Sequence, residues 1–253
     1  MRLVPARPAQ AAVIITTMMT ASMATTAMTS ASLSDDGFLK LLTWLSPAFP
    51  TGGFAYSHGI EWAVETGDAK STAGIVAWIC DILEEGSGRT DAILLRQAHR
   101  AVRNGDDAAL GEIVELAAAL PGCRERHLET TAQGNAFLLA AGAWPHPVLA
   151  QLTSDVAYPV AVGAVAASHG IAEDRATLGF LHTFAANLVS SAVRIIPLGQ
   201  QAGLRILAAL EPVLVAVCDS SRDLTLDDIG SSAIRADLAA MHHETQYTRL
   251  FRT

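Results

Sequence analysis

From Asp35 onward the apolar residues of this chain recur at helical spacing almost without interruption, and no run of five or more residues alternates as a half-buried strand would. That periodicity constrains the fold more than any other feature. Amphipathic helices joined by short linkers can bury their apolar stripes only against one another. The expectation is an all-α fold: a single helical-bundle domain of about ten helices over residues 35–240, with flexible tails at residues 1–34 and 241–253. Hydrophobic residues make up 51% of the chain and charged residues 17%. Such a balance supplies a large core and leaves more apolar surface than a monomer usually exposes.

The punctuation of the chain sets expected helix ends. Asp35 and Asp36 can cap a helix that stops at Ser46-Pro47, and a helix from His58 to Thr66 should end near Gly67. Ser71 can cap the next, which should run to a break at Gly86-Ser87-Gly88. Thr90–Arg103, with Arg96, Arg100 and Arg103 on a different face from Ile93 and Leu94, precedes Asp106–Leu120 and then Arg124–Ala143. VAVGAVAAS after Pro159 is small and apolar, suited to close helix packing and too short to span a membrane. In Arg175–Ile196 the stripe Leu181, Phe184, Leu188, Ala192 and Ile195 is expected to be buried. Gln200–Val217 should be interrupted at Pro212. Residues 1–34 contain no acidic residue and only a short, threonine-diluted apolar run, so they read as a disordered extension or a misassigned start, with an export signal as the alternative because Arg2 and Arg7 precede AAVIITTMM.

Several function classes lose support. The formal net charge is −8 and only Lys40 and Lys70 among the 17 basic residues are lysines, so no basic face for nucleic acid is visible. Cys80, Cys123 and Cys218 are scattered, which fits a reducing compartment better than a disulfide framework. Neither HExxH nor GxxxxGK[ST] occurs. Ala55-Tyr56-Ser57-His58-Gly59 approximates the nucleophile elbow of a serine hydrolase, but that elbow needs a preceding strand. Ser57 reads instead as the cap of a helix over Ile60–Val64, with Glu61 in its first turn. A di-metal carboxylate bundle needs Glu-x-x-His on two helices; this chain has His58-x-x-Glu61, reversed and single. No catalytic residue, metal site or cofactor is therefore assigned.

Three polar features remain. His242-His243 reads as a solvated or partner-facing pair rather than the alternative, a surface nickel or zinc contact, because adjacent helix residues do not converge on one ion without help from another chain. Asn187, Ser190, Ser191 and Arg194 form a polar stripe on the most apolar helix, where the arginine should pair with a carboxylate such as Glu211 or Glu61, or line a groove for a partner. The C-terminal segment interleaves Arg249 and Arg252 with Tyr247, Leu250 and Phe251, residue types that anchor interfaces. It reads as a docking tail.

Four blocks resemble the urease accessory protein F family (UreF): LLTWLSPAFPTGGFAYSHGIEWAVE, CRERHLETTAQG, YPVAVGAVAASHGI with FAANLVSSAVRIIPLGQ, and HHETQYTRLFRT. The resemblance implies a helical, non-catalytic, dimeric protein of the cytoplasm, acting with accessory protein D (H in some organisms) and the GTPase accessory protein G. Together these would support GTP-dependent nickel insertion into apo-urease, with no nucleic acid or membrane involved. It implies partner-binding roles for Tyr56, Ser57, Glu61, Arg124, Glu125, Arg194 and Gln200. Tyr247, Arg249, Phe251 and Arg252 would order on binding the D protein. The competing readings are a helical interaction module unrelated to nickel and a hydrolase using Ser57.

Overall fold

The computed structural model describes residues 35–153 and 155–253, so the expected extension over residues 1–34 lies outside the described residues. Among the described residues all regular structure is helical, as the periodicity predicts. The α-helices are α1 (Asp35–Trp44), α2 (Ile60–Thr66), α3 (Thr72–Glu85), α4 (Ser87–Asn104), α5 (Asp107–Ala119), α6 (Arg124–Ala141), α7 (Tyr158–Ser168), α8 (Glu173–Ile195), α9 (Gln200–Ser220) and α10 (Ile234–His243). Short 3₁₀ turns lie at Gly53–Ala55, Pro147–Ala150 and Leu226–Asp228.

Local chemistry explains most boundaries. The Ser71 hydroxyl accepts the Gly74 N–H at 3.1 Å and the Asp106 carboxylate accepts the Ala109 N–H at 3.0 Å, each satisfying an otherwise orphaned first-turn donor. Two expectations need correction. The break at residues 86–88 shrinks to Gly86, because Gly88 is a packing residue of α4: a Cβ there would lie 2.6 Å from Leu83 Cα. Pro212 does not interrupt α9, which continues to Ser220. Its ring faces solvent, while Ile206, Leu210, Leu214 and Val217 carry the buried stripe past it.

Helix α7 is the centre of one half of the bundle, buried from Tyr158 to Ala167. Helix α4 crosses it so closely that a Cβ on Gly163 would sit 2.2 Å from the Leu95 carbonyl oxygen. The other half is an aliphatic core of α3 (Ile75, Ile79, Ile82), α8 (Leu181, Leu188, Ala192) and α9 (Ile206, Leu210, Leu214). In the expected α8 stripe, Phe184 and Ile195 are only half-buried. Helices α8 and α9 are long and apolar enough to cross a membrane by length and composition; here their buried stripes face this core. The end of α1 is pinned by Trp44, edge-on to Phe137 at 6.3 Å and to Trp144 at 5.7 Å.

Arg96, expected on a different face from Ile93 and Leu94, does not lie at the surface. It is fully buried where α4 meets α8 and α9, with its guanidinium 2.6 Å from Glu173 and 2.8 Å from Asp174. It also donates to the Cys218 carbonyl at 2.7 Å and to the Ser221 hydroxyl at 3.0 Å. A buried guanidinium needs nearly all its donors matched, and this one has two carboxylates and two further acceptors.

Candidate interface at the C-terminal clasp

The loop between α1 and α2 meets the chain end in a layered polar cluster. Gly59, at φ 79°, opens α2, and a Cβ there would lie 2.8 Å from the Ala240 backbone nitrogen. Helix α10 can therefore lie directly across the start of α2, which brings His243 over Glu61. One Glu61 oxygen accepts the Leu250 N–H at 2.7 Å. The other accepts the Phe251 N–H at 3.0 Å and stands 3.1 Å from His243 Nε2. His243 Nδ1 is 2.6 Å from Glu125, and the second Glu125 oxygen accepts from Arg249 at 2.6 Å.

One helical turn along α6, Glu129 forms the next layer. It accepts the Thr253 hydroxyl at 3.1 Å and an Arg126 N–H at 2.5 Å. Backbone pairing completes the clasp: Arg252 N–H donates to Ala55 O at 2.9 Å, and Ser57 N–H donates to Thr253 O at 2.8 Å. The Ser57 hydroxyl also donates to Thr253 O. Burial alone would raise the Glu129 pKa, but the Arg126 charge and then His58 overcome it and hold the carboxyl at about 2. Burial, reinforced by Arg126, pushes the His58 pKa down.

Several expectations change here. The C-terminal segment, read as a tail that orders on a partner, is already held by its own chain, with Phe251 and Thr253 buried. His243 is buried between two carboxylates rather than solvated, while His242 stacks on Trp62 at 5.1 Å. Arg194 pairs with neither Glu211 nor Glu61: it donates to the carbonyls of Phe54 at 2.6 Å and Ser190 at 3.3 Å. Its guanidinium also sits 4.3 Å from the Phe251 ring centroid. The carboxylate it was expected to find is occupied by the chain end. Ser57 is not the cap of α2, since Gly59 takes that place, yet its hydroxyl accepts the Glu61 N–H at 3.3 Å.

The site residues expected from sequence thus divide. Tyr56, Ser57, Glu61, Glu125 and Phe251 are buried, whereas Arg124, Arg194, Gln200, Tyr247, Arg249 and Arg252 are exposed. Arg124, Glu125, Arg249, Phe251 and Arg252 come together around a surface hollow of about 650 Å³ with Leu128 and Glu244. Gln200, at the start of α9, is not among its lining residues. Tyr247 is 103% exposed and Leu250 66% exposed beside this clasp. Sequence reasoning missed Arg126, Glu129 and Thr253. Glu125 and Glu129, four apart on one helix face of a weakly charged chain, were the available signal.

Ser57 is fully buried with its hydroxyl spent on a backbone carbonyl. Ser87, His58 and Glu129 do stand in triad order, with Ser87 Oγ 2.7 Å from His58 Nε2 and His58 Nδ1 3.3 Å from Glu129. Arg126, however, also contacts His58 Nδ1 and can only donate. One tautomer cannot serve both contacts: a protonated Nδ1 donates to Glu129, and an unprotonated one accepts from Arg126. Among the described residues, no three His, Cys, Asp or Glu side chains converge as metal ligands.

Against known proteins, the sequence profile of the UreF family matches residues 69–211. The chain is 52% identical over 225 residues to the urease accessory protein UreF of Bradyrhizobium sp. (strain BTAi1), covering 87% of this chain and 94% of that protein. It is 50% identical over 219 residues to that of Rhodopseudomonas palustris (strain BisB18), covering 85% and 91%. It is 48% identical over 220 residues to that of Methylorubrum populi, covering 85% and 98%.

Proposed function

The chain belongs to the UreF family, and on that premise we propose that it is a non-catalytic urease maturation factor. It acts with accessory proteins D (or H) and G to support GTP-dependent delivery of nickel, as cargo, to apo-urease. It works as a homodimer in the cytoplasm, without nucleic acid or membrane. The observation that carries the docking role is the clasp: Glu61 fixes the backbone of Leu250 and Phe251 while Tyr247 and Leu250 stay exposed. A segment held in this way presents its anchors without the ordering cost of a disordered tail. Arg124, Arg249 and Arg252 supply a charged rim beside the exposed Leu128, suited to the D protein. Arg194 and Gln200, exposed at the end of α8 and start of α9, organise the groove under the Pro197-Leu198-Gly199 break.

The reading is tested in cells carrying the urease genes, with this gene deleted and then restored. Urease activity should vanish at normal apo-urease levels and return with the gene. Unchanged activity on deletion would overturn the maturation role and leave a helical interaction module unrelated to nickel.

A further inference from the structure

A second cavity, of about 140 Å³, lies where the first turn of α4 meets the end of α5, the start of α6 and the 229–231 loop. None of its lining residues belongs to the hollow at the clasp. One wall is apolar, formed by Leu94, Leu120 and Ile229. Its polar lining includes Thr90, Asp91 and Asp237. Among the described residues Asp91 accepts no hydrogen bond and forms no ion pair. Its neighbours are otherwise engaged: Thr90 donates to Gly230 O at 3.3 Å, and Asp237 accepts from the Ser231 hydroxyl at 2.8 Å. Arg126 also lines the cavity, but its charge is committed to Glu129 at 2.5 Å.

We propose that this cavity binds a primary ammonium group on a short aliphatic stem, the stem against Leu94, Leu120 and Ile229 and the head on Asp91. The volume admits a side-chain-sized guest and no nucleotide. An anion is disfavoured because the lining holds two carboxylates, Asp91 and Asp237, and a guanidinium, Arg126, that is already paired with Glu129. A neutral apolar guest would leave the Asp91 carboxylate unsatisfied. Burial pushes the Asp91 pKa up to about 7, with Arg126 opposing and Glu129 reinforcing. The other titratable groups around it are Cys123 and Asp237 in the lining and His58 behind Ser87.

The ammonium could be a free small amine or a lysine side chain of a protein partner, and one titration separates the two. The full chain is titrated with n-butylammonium chloride, with N-acetyl-lysine N-methylamide and with n-butanol, and the amide resonances of Thr90, Asp91 and Thr130 are followed by NMR. n-Butylammonium should bind in wild type and at least about tenfold more weakly in Asp91→Asn, whose unchanged remaining spectrum shows it folded. Aliphatic amines stay protonated near neutral pH, so the affinity should follow Asp91 ionisation and be about tenfold weaker at pH 6 than at pH 8. Binding of the lysine derivative as well assigns a protein side chain; binding of n-butylammonium alone assigns a free amine. Equal binding of n-butanol, equal binding by Asp91→Asn, tighter binding at low pH, or no shift with either amine would overturn the proposal.

Discussion

Arg96 and Glu61 each sit in a buried ionic cluster, but the two clusters join different things. Arg96 ties three long helices through carboxylates and a carbonyl at the ends of regular elements. Glu61, Glu125 and Glu129 tie a loop and a helix to the last residues of the chain, largely by accepting backbone and hydroxyl protons. The first cluster is embedded in packing that exists without it. The second is most of what holds residues 247–253 in place. Similar chemistry therefore serves global stability in one region and local presentation in the other.

The sharpest way to break this contrast is Arg96→Met. It removes the buried guanidinium and its charge-assisted hydrogen bonds, leaving Glu173 to Arg100, Asp174 to Arg222 and the Cys218 carbonyl to the Ser221 hydroxyl, and should cost about 3–5 kcal/mol. Thermal melting should remain one transition, with Tm lowered by roughly 10 °C. Acid acts next, on the clasp. Glu129 is held at about 2 in the folded chain against an ordinary 4.5. Its contribution of about 3 kcal/mol is thus present above pH 4.5 and is lost as pH falls toward 2. His58, with its pKa lowered, acts in the same direction, since protonation below its ordinary value of 6.5 favours the open form. Protection factors of the Ser57 and Arg252 amides, corrected for the slower intrinsic exchange in acid, should fall between pH 5 and 3; constant protection would contradict the assignment.

Glu61→Gln should cost less, about 1–3 kcal/mol, because one acceptor oxygen survives. Exchange at Leu250 and Phe251 should rise while Tm moves little. A fall in Tm as large as that of Arg96→Met would erase the distinction between the two clusters. Smallest on stability is Tyr247→Ala with Leu250→Ala, within about 0.5 kcal/mol because both side chains are exposed. Its effect should appear only in partner capture.

The contrast also explains what was legible in the sequence. Apolar periodicity and caps such as Ser71 and Asp106 revealed the helices, because these signals act within one or two turns. Misreadings arose where a distant element supplied the partner. Gly88 looked like a breaker until Leu83 was packed on it, and the apolar periodicity that set Arg96 apart from Ile93 and Leu94 gave no sign of Glu173 and Cys218 meeting it. His243 looked surface-bound until two glutamates more than 110 residues away closed on it. The residue types of the C-terminal segment were read correctly as unusual, but their roles were inverted in part. Phe251 anchors the segment to its own body, and Tyr247 is the side chain left outside.

That division makes one measurement decisive: capture of accessory protein D, and urease activation in cells, by Tyr247→Ala/Leu250→Ala compared with wild type. The account predicts unchanged helical content and Tm, capture reduced by tenfold or more, and low urease activity. Full capture and full activity would mean that the clasp presents nothing to a partner and serves only to close the fold.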